Sequence, residues 1–261
     1  MSHRALQAHY RPNWRLAQAT RFQAFNCGYQ RSAADTFATH QQSLLWQLVG
    51  DTPISGDTVV LDVGCGIGGP IGWIVESRRP ARAIGIDFCA ENVAHARDAW
   101  ADQNGHSPVF LRGDAHRLPL SDASVDVLVN LESALHYRDK PTFLRECRRV
   151  LRPGGVLCLG DITSRYKRTI NLLGNLARSH ITLFSPDDYR RALPAAGFQI
   201  AAHEDASLPV SRSLDAGLAE ARRLSIRERL RVASRLAFLR ILQQQLARGW
   251  VSYDLFRARP A

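Results

Sequence analysis

The chain has 261 residues, 45% of them hydrophobic and 22% charged, which is ordinary for a globular protein with room for one large domain or two small ones. No apolar run approaches the ~20 residues that span a bilayer, and the first residues lack the pattern of a secretory signal, so we expect a cytoplasmic protein. A formal net charge of +10 raises the question of nucleic acid or a membrane surface, but the excess arginine is dispersed, with one cluster between Arg222 and Arg240. We therefore expect no nucleic-acid partner.

The cysteines are odd in number and scattered, and no C-x-x-C pair occurs among them. This arrangement argues against a disulfide framework and against a zinc site, and it favours a reducing compartment. We expect no metal cofactor. The five residues are Cys27, Cys65, Cys89, Cys147 and Cys158.

Short apolar runs alternate with amphipathic stretches, a pattern typical of a parallel sheet covered by helices. A helical segment rich in aromatic residues is predicted first, over residues 15–50. Strands are predicted over residues 58–63, 81–87, 108–112, 125–130 and 155–160, with helices over 71–75, 92–100 and 141–151. Proline and glycine in the turn 152–155 end the last of these helices.

The alternation is interrupted after Asp161. Residues 166–184 mix apolar and polar side chains. A helix then begins at Ser185-Pro186 and ends at Gly197, and a strand begins at Phe198. Leucines at helical spacing among arginines predict a helix over 218–246, and a final strand is predicted over 249–256.

A glycine-rich loop follows the first predicted strand, in the sequence Asp62-Val63-Gly64-Cys65-Gly66-Ile67-Gly68-Gly69. Glycines at a strand-to-helix turn let the backbone approach a ligand closely, and the helix start offers N–H donors to a carboxylate or phosphate. With Asp87 about twenty residues later, the loop also fits the fingerprint of a dinucleotide site. The loop alone therefore leaves two kinds of nucleoside cofactor open.

Three features separate these two cofactors. Asp62 precedes the glycines, where its charge repels a pyrophosphate but suits a cationic amine and sulfonium. Asp114 follows the third strand, where an acid can accept a hydrogen bond from an adenine amine. The turn at 152–155 precedes the fifth strand. Asp62, Asp87 and Asp114 all fall at the carboxyl ends of successive strands, where ligands bind in open α/β sheets.

This four-part pattern resembles the class I S-adenosylmethionine (SAM) dependent methyltransferases, over residues 58–161 and more loosely to the end. The resemblance implies an α/β fold with a Rossmann-like sheet, mostly parallel with an antiparallel last strand, plus helical lids at the N-terminus and in a late insertion. It divides the chain into an N-terminal helical lid (1–50), a SAM-binding core (51–165) and a substrate-lid insertion with the closing strands of the same domain (166–261).

The resemblance also implies roles for individual residues, with SAM as the cofactor. Gly64 and Gly66 would approach its methionine part, with Cys65 packed inside the loop and not acting as a nucleophile. Asp62 would lie near the ammonium, and Glu132 near the methyl donor. The remaining cofactor residues would contact the adenosine: Asp87 the ribose hydroxyls, Phe88 and Asn92 the flanks, Asp114 the adenine amine, and Ala115 through its backbone.

The methyl acceptor is predicted from the loop after the fourth strand, 130–137. Methyltransferases of nucleic acids and proteins often carry Asn-Pro-Pro-aromatic here, whereas this chain has Asn-Leu-Glu-Ser. The acid followed by a histidine looks like the sterol, sugar and polyketide-tailoring methyltransferases, as does Asn26-Cys27-Gly28-Tyr29. Tyr29 would pair with His136 or close over the SAM carboxylate. His136 is the candidate general base, since neutral imidazole suits proton removal near pH 7.

We therefore expect O- or N-methylation of a small natural product or metabolite. C-methylation of an alkene or electron-rich carbon is the alternative, with Glu132 or an aromatic stabilising a developing cation. Three rival functions are a dinucleotide oxidoreductase, an RNA methyltransferase and a SAM-fold protein without catalysis. A homodimer is the working assumption for assembly. Tyr137, Tyr166, His180 and Phe184 are candidate walls of the acceptor pocket, while Trp73 is expected in the core.

Overall fold

The computed structural model describes residues 13–17, 22–101, 106–164, 166 and 181–261. Its strands are, in chain order, β1 (Val59–Val63), β2 (Arg82–Asp87), β3 (Val109–Arg112), β4 (Val125–Leu131), β5 (Leu151–Thr163), β6 (Phe198–Asp205) and β7 (Ser252–Pro260). These seven strands form one sheet in the order β3-β2-β1-β4-β5-β7-β6. β1 to β5 pair in parallel, and β7 runs antiparallel to both β5 and β6. The predicted, mostly parallel α/β sheet with an antiparallel last strand is confirmed.

Helices cover both faces of the sheet. Besides a helical turn at residues 13–17, they are α1 (Phe37–Val49), α2 (Gly69–Arg78), α3 (Ala90–Ala99), a 3-10 turn (Ala134–His136), α4 (Lys140–Val150), α5 (Pro186–Ala195), α6 (Ser207–Ala221), α7 (Ile226–Arg231) and α8 (Ala233–Ala247). Helices α1, α2, α3, α6 and α8 contribute to one apolar core, whereas α4 and α5 contribute to the other. The sheet is therefore buried on both sides, as a parallel sheet requires. No helix within the described ranges is long and apolar enough to cross a membrane.

Local sequence signals set several helix boundaries. The Ser185 side chain accepts from the Asp188 N–H while Asp188 accepts from the Ser185 N–H, and this reciprocal cap starts α5 where the sequence predicts a helix. Asp139 caps α4 by accepting from the Thr142 N–H at 2.9 Å. Trp73 is 3% exposed and lies in the core, as predicted.

The predicted helix over 218–246 is wrong in one respect, because it is interrupted. α6 ends at Ala221, and a second reciprocal cap between Ser225 and Glu228 restarts the chain as α7. α8 then begins beyond Val232. The spacing of leucines alone cannot predict this interruption, because the cap that restarts the helix depends on a serine and a glutamate three residues apart.

The ends of the chain also depart from the predicted elements. Among the described residues of 15–50, the segment 22–36 is irregular: Gly28 has φ +71° and the Tyr29 N–H donates to the His40 carbonyl at 2.8 Å. At the other end, Gly249 with φ +68° delays the last strand to Ser252. The division at residues 50 and 165 stays a prediction.

Candidate active site

A cavity lies at the carboxyl ends of β1, β2 and β4, beneath the N-terminal segment and α8. It encloses about 820 Å³, counting its open mouth. The cofactor loop and three acids form one part of its lining, and apolar side chains form another. The residues that line it are Asn13, Ala24, Phe25, Asn26, Cys27, Asp62, Gly64, Cys65, Gly66, Pro70, Asp87, Leu131, Glu132, Ser133, Leu135, His136, Ile162, Ile181, Arg235 and Phe238.

The glycine loop needs its glycines for both conformation and space. Gly64 has φ +76° and Gly66 has φ +55°, in the left-handed region that other residues rarely adopt. A Cβ on Gly64 would meet the Cβ of Ser133 at 2.3 Å, and one on Gly66 would meet the Phe25 ring at 3.3 Å. The backbone N–H groups of Gly64 and Cys65 both donate to the Ile86 carbonyl, at 2.7 and 3.1 Å. The loop is thereby held against the end of β2.

Asp87 ends β2 and organises its surroundings. Its carboxylate accepts from the Gly66 N–H at 2.9 Å, the Cys89 N–H at 2.8 Å and the Asn92 amide at 3.1 Å. Asn92 in turn accepts from the Trp14 indole N–H at 2.9 Å. Burial raises the pKa of Asp87 to about 6, so the carboxylate is mainly ionised at neutral pH. Asn92 is buried away from the cavity lining and supports Asp87.

Asp62 is 1% exposed, and its Oδ2 atom has no hydrogen-bond partner among the described residues. Burial, and secondarily the charge of Asp87, raises the pKa of Asp62 to about 8. A buried carboxylate without a partner is costly unless a cation or donor reaches it. Because Asp62 lines the cavity, that partner can come from a ligand.

These observations fit SAM. The orphaned Asp62 oxygen suits a cationic group, the glycine loop leaves the close approach that a Cβ would fill, and Asp87 places an ionised carboxylate beside both. A pyrophosphate, by contrast, would bring negative charge beside the ionised Asp87 and would further oppose the ionisation of Asp62. The residues present therefore favour SAM over a dinucleotide.

Glu132 holds distant chain segments at the cavity. Its carboxylate accepts from the Cys27 N–H at 2.6 Å, the Cys27 thiol at 3.2 Å and the Tyr253 hydroxyl at 2.9 Å. Burial raises the pKa of Glu132, while these donors and the charge of Arg235 oppose the rise. Glu132 adopts φ +55°, a strained value for a residue with a side chain. This carboxylate thus joins the N-terminal segment and the last strand to the end of β4.

The two candidate catalytic residues lie in different places. His136 ends the 3-10 turn and lines the cavity. Its backbone N–H donates to the Ser133 carbonyl at 3.0 Å. The hydroxyl of Tyr29 instead donates to Glu204 on β6, at 3.3 Å. Tyr29 is not among the lining residues. The structure therefore does not bring Tyr29 to His136, and the alternative contact of Tyr29 with the SAM carboxylate stays a prediction.

Asp87 lines the cavity, but the other residues predicted to contact the adenosine lie at the same edge of the sheet outside the cavity lining. Phe88 is 49% exposed, with the Arg112 guanidinium 5.9 Å above its ring. Asp114 accepts from the His116 N–H at 2.9 Å and lies 2.7 Å from the His116 Nδ1, and these bonds lower its pKa against the effect of burial. Ala115 is buried in the core. Their contacts with a cofactor stay predictions.

The candidate pocket walls are mostly elsewhere. The Tyr137 hydroxyl packs beneath the turn, 3.0 Å from the Ser133 hydroxyl. Phe184 packs against Tyr189 with ring centroids 5.2 Å apart. Tyr166 is 57% exposed, and His180 lies outside the described residues.

Several lining residues carry no signal in the sequence. Phe25, Ile181, Arg235 and Phe238 come from three separate parts of the chain. Arg235 belongs to the arginine cluster of the late helices, and it reaches this cavity. Among the lysines and arginines that the structure describes, Arg235 alone lines the cavity. Only the tertiary packing of the N-terminal segment, the segment at Ile181 and α8 around the sheet edge reveals these side chains.

Comparison with known proteins agrees with the site. Residues 61–159 match a family model described as a methyltransferase domain. The chain is 36% identical over 138 residues to the erythromycin 3''-O-methyltransferase of Saccharopolyspora erythraea, which is 52% of this chain and 45% of that enzyme. It is 31% identical over 186 residues to the 27-O-demethylrifamycin SV methyltransferase of Amycolatopsis mediterranei, covering 69% of this chain and 68% of the relative. The chain thus spans about half the length of the first relative and two thirds of the second.

A solved structure shows the same fold over nearly the whole chain. A mycolic acid cyclopropane synthase complexed with S-adenosylhomocysteine (SAH) and CTAB superposes with a TM-score of 0.85 at 17% identity, over 99% of this chain and 98% of that one. This likeness supports the fold, while the sequence relatives carry the family. The chain belongs to the class I SAM-dependent methyltransferases, together with relatives named for the O-methylation of natural products.

Proposed function

We propose that the protein transfers the methyl group of SAM to a hydroxyl or amine of a small natural product or metabolite. One observation carries the proposal: a single cavity joins a glycine loop with an orphaned carboxylate to an apolar compartment that His136 lines. The names of the erythromycin and rifamycin relatives favour a hydroxyl.

The cofactor half of the cavity is assigned to Asp62, Gly64, Gly66 and Asp87. When bound, SAM supplies an electrophilic methyl group on a sulfonium. Asp62 would contact its cationic part and Asp87 its ribose hydroxyls, while the glycines admit the methionine part. The preorganised bonds of Asp87 with Gly66 and Cys89 keep this half of the site in place before the ligand arrives.

The acceptor half is assigned to Phe25, Leu135, Ile162, Ile181 and Phe238. These walls are apolar, as small-molecule pockets usually are, and they exclude water from the reacting atoms. His136 would hold the proton that the acceptor oxygen or nitrogen loses as its bond to the methyl carbon forms and the sulfur–methyl bond breaks. The enzyme's remaining task is orientation of an in-line displacement.

C-methylation is the second candidate. Phe25, Phe238 and the carboxylate of Glu132 all line the cavity, and such groups stabilise a developing carbocation. Against it, both Glu132 oxygens already accept hydrogen bonds from Cys27 or Tyr253. We therefore rank oxygen or nitrogen transfer first.

We propose a cytoplasmic setting, a homodimeric assembly and no nucleic-acid partner. All five cysteines are buried and free, which suits a reducing compartment. Gel filtration with light scattering tests the dimer. Titration with RNA at two salt concentrations tests the last point, since a nucleic-acid complex weakens steeply as salt rises.

The first experiment is calorimetric titration with SAH, alongside NAD, repeated on Asp87→Ala. We expect micromolar SAH affinity, no NAD binding, and a loss of about 100-fold or more in the variant, because two charge-assisted hydrogen-bond positions disappear. Asp98→Ala, which removes an exposed carboxylate from α3, is the matched control. Preference for NAD, or equal SAH affinity in both variants, contradicts the assignment.

A second experiment identifies the transferred group. The enzyme is incubated with SAM carrying a labelled methyl and with a panel of hydroxylated and aminated natural products. Mass spectrometry detects transfer, and the methyl carbon's NMR shift distinguishes bonds to oxygen, nitrogen or carbon. Transfer only to carbon would replace the first candidate with the second.

A further inference from the structure

Lys140 is a buried lysine next to the turn that carries His136. It is fully buried at the first position of α4. Its ammonium donates to the Tyr137 carbonyl at 3.4 Å and to the Thr182 carbonyl, and it lies 5.2 Å above the Phe184 ring. A cation at a helix N-terminus opposes the helix dipole. Burial and the position at the helix N-terminus therefore both disfavour the charged form of Lys140.

Asp161 is the buried counter-charge, at the end of β5. It accepts from the Tyr189 hydroxyl at 2.6 Å and from the Ile162 N–H at 3.0 Å. Burial raises the pKa of Asp161 to about 6 and lowers that of Lys140 to about 8, and each charge opposes the shift of the other. Both groups are therefore mainly charged at pH 7.

The backbone contacts made by Lys140 and Thr182 flank His136. On one side, the Leu135 carbonyl accepts from the Thr182 N–H at 2.7 Å. On the other side, the Tyr137 carbonyl accepts from Lys140, which also binds Thr182. The same contacts fix Leu135 and the segment beginning at Ile181, both of which line the cavity.

We infer that Lys140, with Asp161 as its buried counter-charge, is a positioning residue that holds the backbone on both sides of His136, at Tyr137 directly and at Leu135 through Thr182, and that it fastens the end of the late insertion against this turn. The inference rests on the proposed role of His136 as the base. Two buried opposite charges are a weak source of stability, since apolar residues of similar volume often serve as well. The contacts of Lys140 reach both neighbours of His136, Tyr137 directly and Leu135 through Thr182, which a general contribution to the core does not explain.

The test uses the full chain with the double substitution Lys140→Met and Asp161→Asn. Replacing both avoids the uncompensated buried charge that either single change leaves. Asparagine at 161 retains an oxygen for the Tyr189 hydroxyl. Asp254→Asn is the matched control, because Asp254 is equally buried in the sheet but bonds Thr163 and His203 instead.

We expect the double variant to bind SAH within about threefold of the native protein by calorimetry. Amide hydrogen exchange should accelerate at least tenfold at Tyr137 and Thr182, beyond any change across β1 and β2. The side-chain NMR signals of His136, one sharp set in the native protein, should broaden or double. The control should leave both signatures unchanged.

Two outcomes overturn the inference: unaltered His136 signals and local exchange in the double variant, or equal changes in the control. Either makes the pair a general feature of the core. If the native protein fails to bind SAH, the proposed function fails, but the exchange and NMR comparison still decides whether the pair positions the turn.

Discussion

Asp62 combines complete burial, an orphaned oxygen and a place in the cavity wall. Its elevated pKa, about 8, follows from burial and from Asp87 nearby. A ligand cation reverses both effects, because it favours the ionised carboxylate. Ligand binding and proton release from Asp62 are therefore coupled.

This coupling predicts that SAM affinity rises with pH. Below a pKa of about 8 the ionised fraction of Asp62 grows up to tenfold per pH unit, so we expect affinity to rise by up to about tenfold per unit between pH 6.5 and 7.5. Asp62→Asn should bind more weakly and show little dependence over this window. Calorimetry in buffers of different ionisation enthalpy also measures the released proton.

The Asp87→Ala variant measures how much the second acid, Asp87, contributes to the pH dependence of SAM affinity. The pKa of Asp87 is about 6, so its own titration acts mainly below this window. A flat affinity profile in the native protein, or equal slopes in native and Asp62→Asn proteins, would show that Asp62 does not meet the cation.

The two catalytic candidates from the sequence make opposite predictions once an acceptor is known. His136→Asn should lower kcat by about 10²–10⁴-fold with SAH affinity nearly unchanged, as expected for loss of a general base. Tyr29→Phe should change kcat little, because the Tyr29 hydroxyl bonds Glu204 and does not line the cavity. Steady-state kinetics and calorimetry measure both. A large kcat loss in Tyr29→Phe would restore its predicted role.

Single site residues can be predicted from the sequence where they directly follow strands. Asp62, Asp87 and Glu132 could be found because parallel strands bring their carboxyl ends to one edge. Phe25 and Arg235 could not, since they reach the cavity through packing of segments distant in the chain. Lys140 could not be found for a related reason, because its burial depends on contacts with Thr182 and Phe184, which are distant in the chain.

At the scale of elements, the loop between β1 and α2 depends on left-handed glycines. Gly64→Ala would place a Cβ 2.3 Å from the Ser133 side chain at φ +76°. We expect a loss of about 1–3 kcal/mol in the free energy of unfolding, from strain and overpacking, together with weaker SAH binding. Urea denaturation and calorimetry measure these effects.

Gly56→Ala is the matched control, because a Cβ there meets nothing within 4 Å and its backbone is not left-handed. It should leave stability and SAH affinity essentially unchanged. If Gly64→Ala behaved like the control, the loop would not need a glycine at that position.

Element boundaries show which local signals can be read from sequence. The proline and acidic residues after Ser185 mark the start of α5 correctly. The Ser225–Glu228 cap is as explicit, yet the leucine period running through it suggested one continuous helix. Residues 22–36 share aromatic composition with α1 but are tied by Glu132 and Gln41, contacts that no local pattern contains.

At the scale of the whole molecule, the order of the seven strands brings residues of separate segments to one edge. The family resemblance could anticipate this sheet, since alternating strands and helices restrict the connections available. It could not anticipate how α8 and the N-terminal segment meet above the edge. The acceptor compartment arises from that meeting, which explains why the cofactor half is the more predictable part of the site.

Concentrating buried acids at this edge has a consequence for global stability. The folded-state pKa values of Asp62 and Asp87, about 8 and about 6, lie above their ordinary value of 3.8. A raised carboxyl pKa contributes stability that is complete below about pH 4 and is lost as pH rises through the folded value. These two groups therefore destabilise the ligand-free protein progressively between about pH 4 and 8.

Asp62→Asn isolates this effect, because asparagine does not ionise. We expect the variant's Tm to exceed the native value increasingly as pH rises from 5.5 to 8.5, with each kcal/mol of difference worth about 2–4 °C. Calorimetric melts of both ligand-free proteins across this range measure it. Saturating SAH should raise the Tm of the native protein more than that of the variant, because a cation beside Asp62 removes the penalty of ionising this carboxyl group. The difference between the two Tm values should therefore become smaller. A gap independent of pH would mean that Asp62 is already compensated within the protein, and the same result would remove the basis for assigning it to a ligand cation.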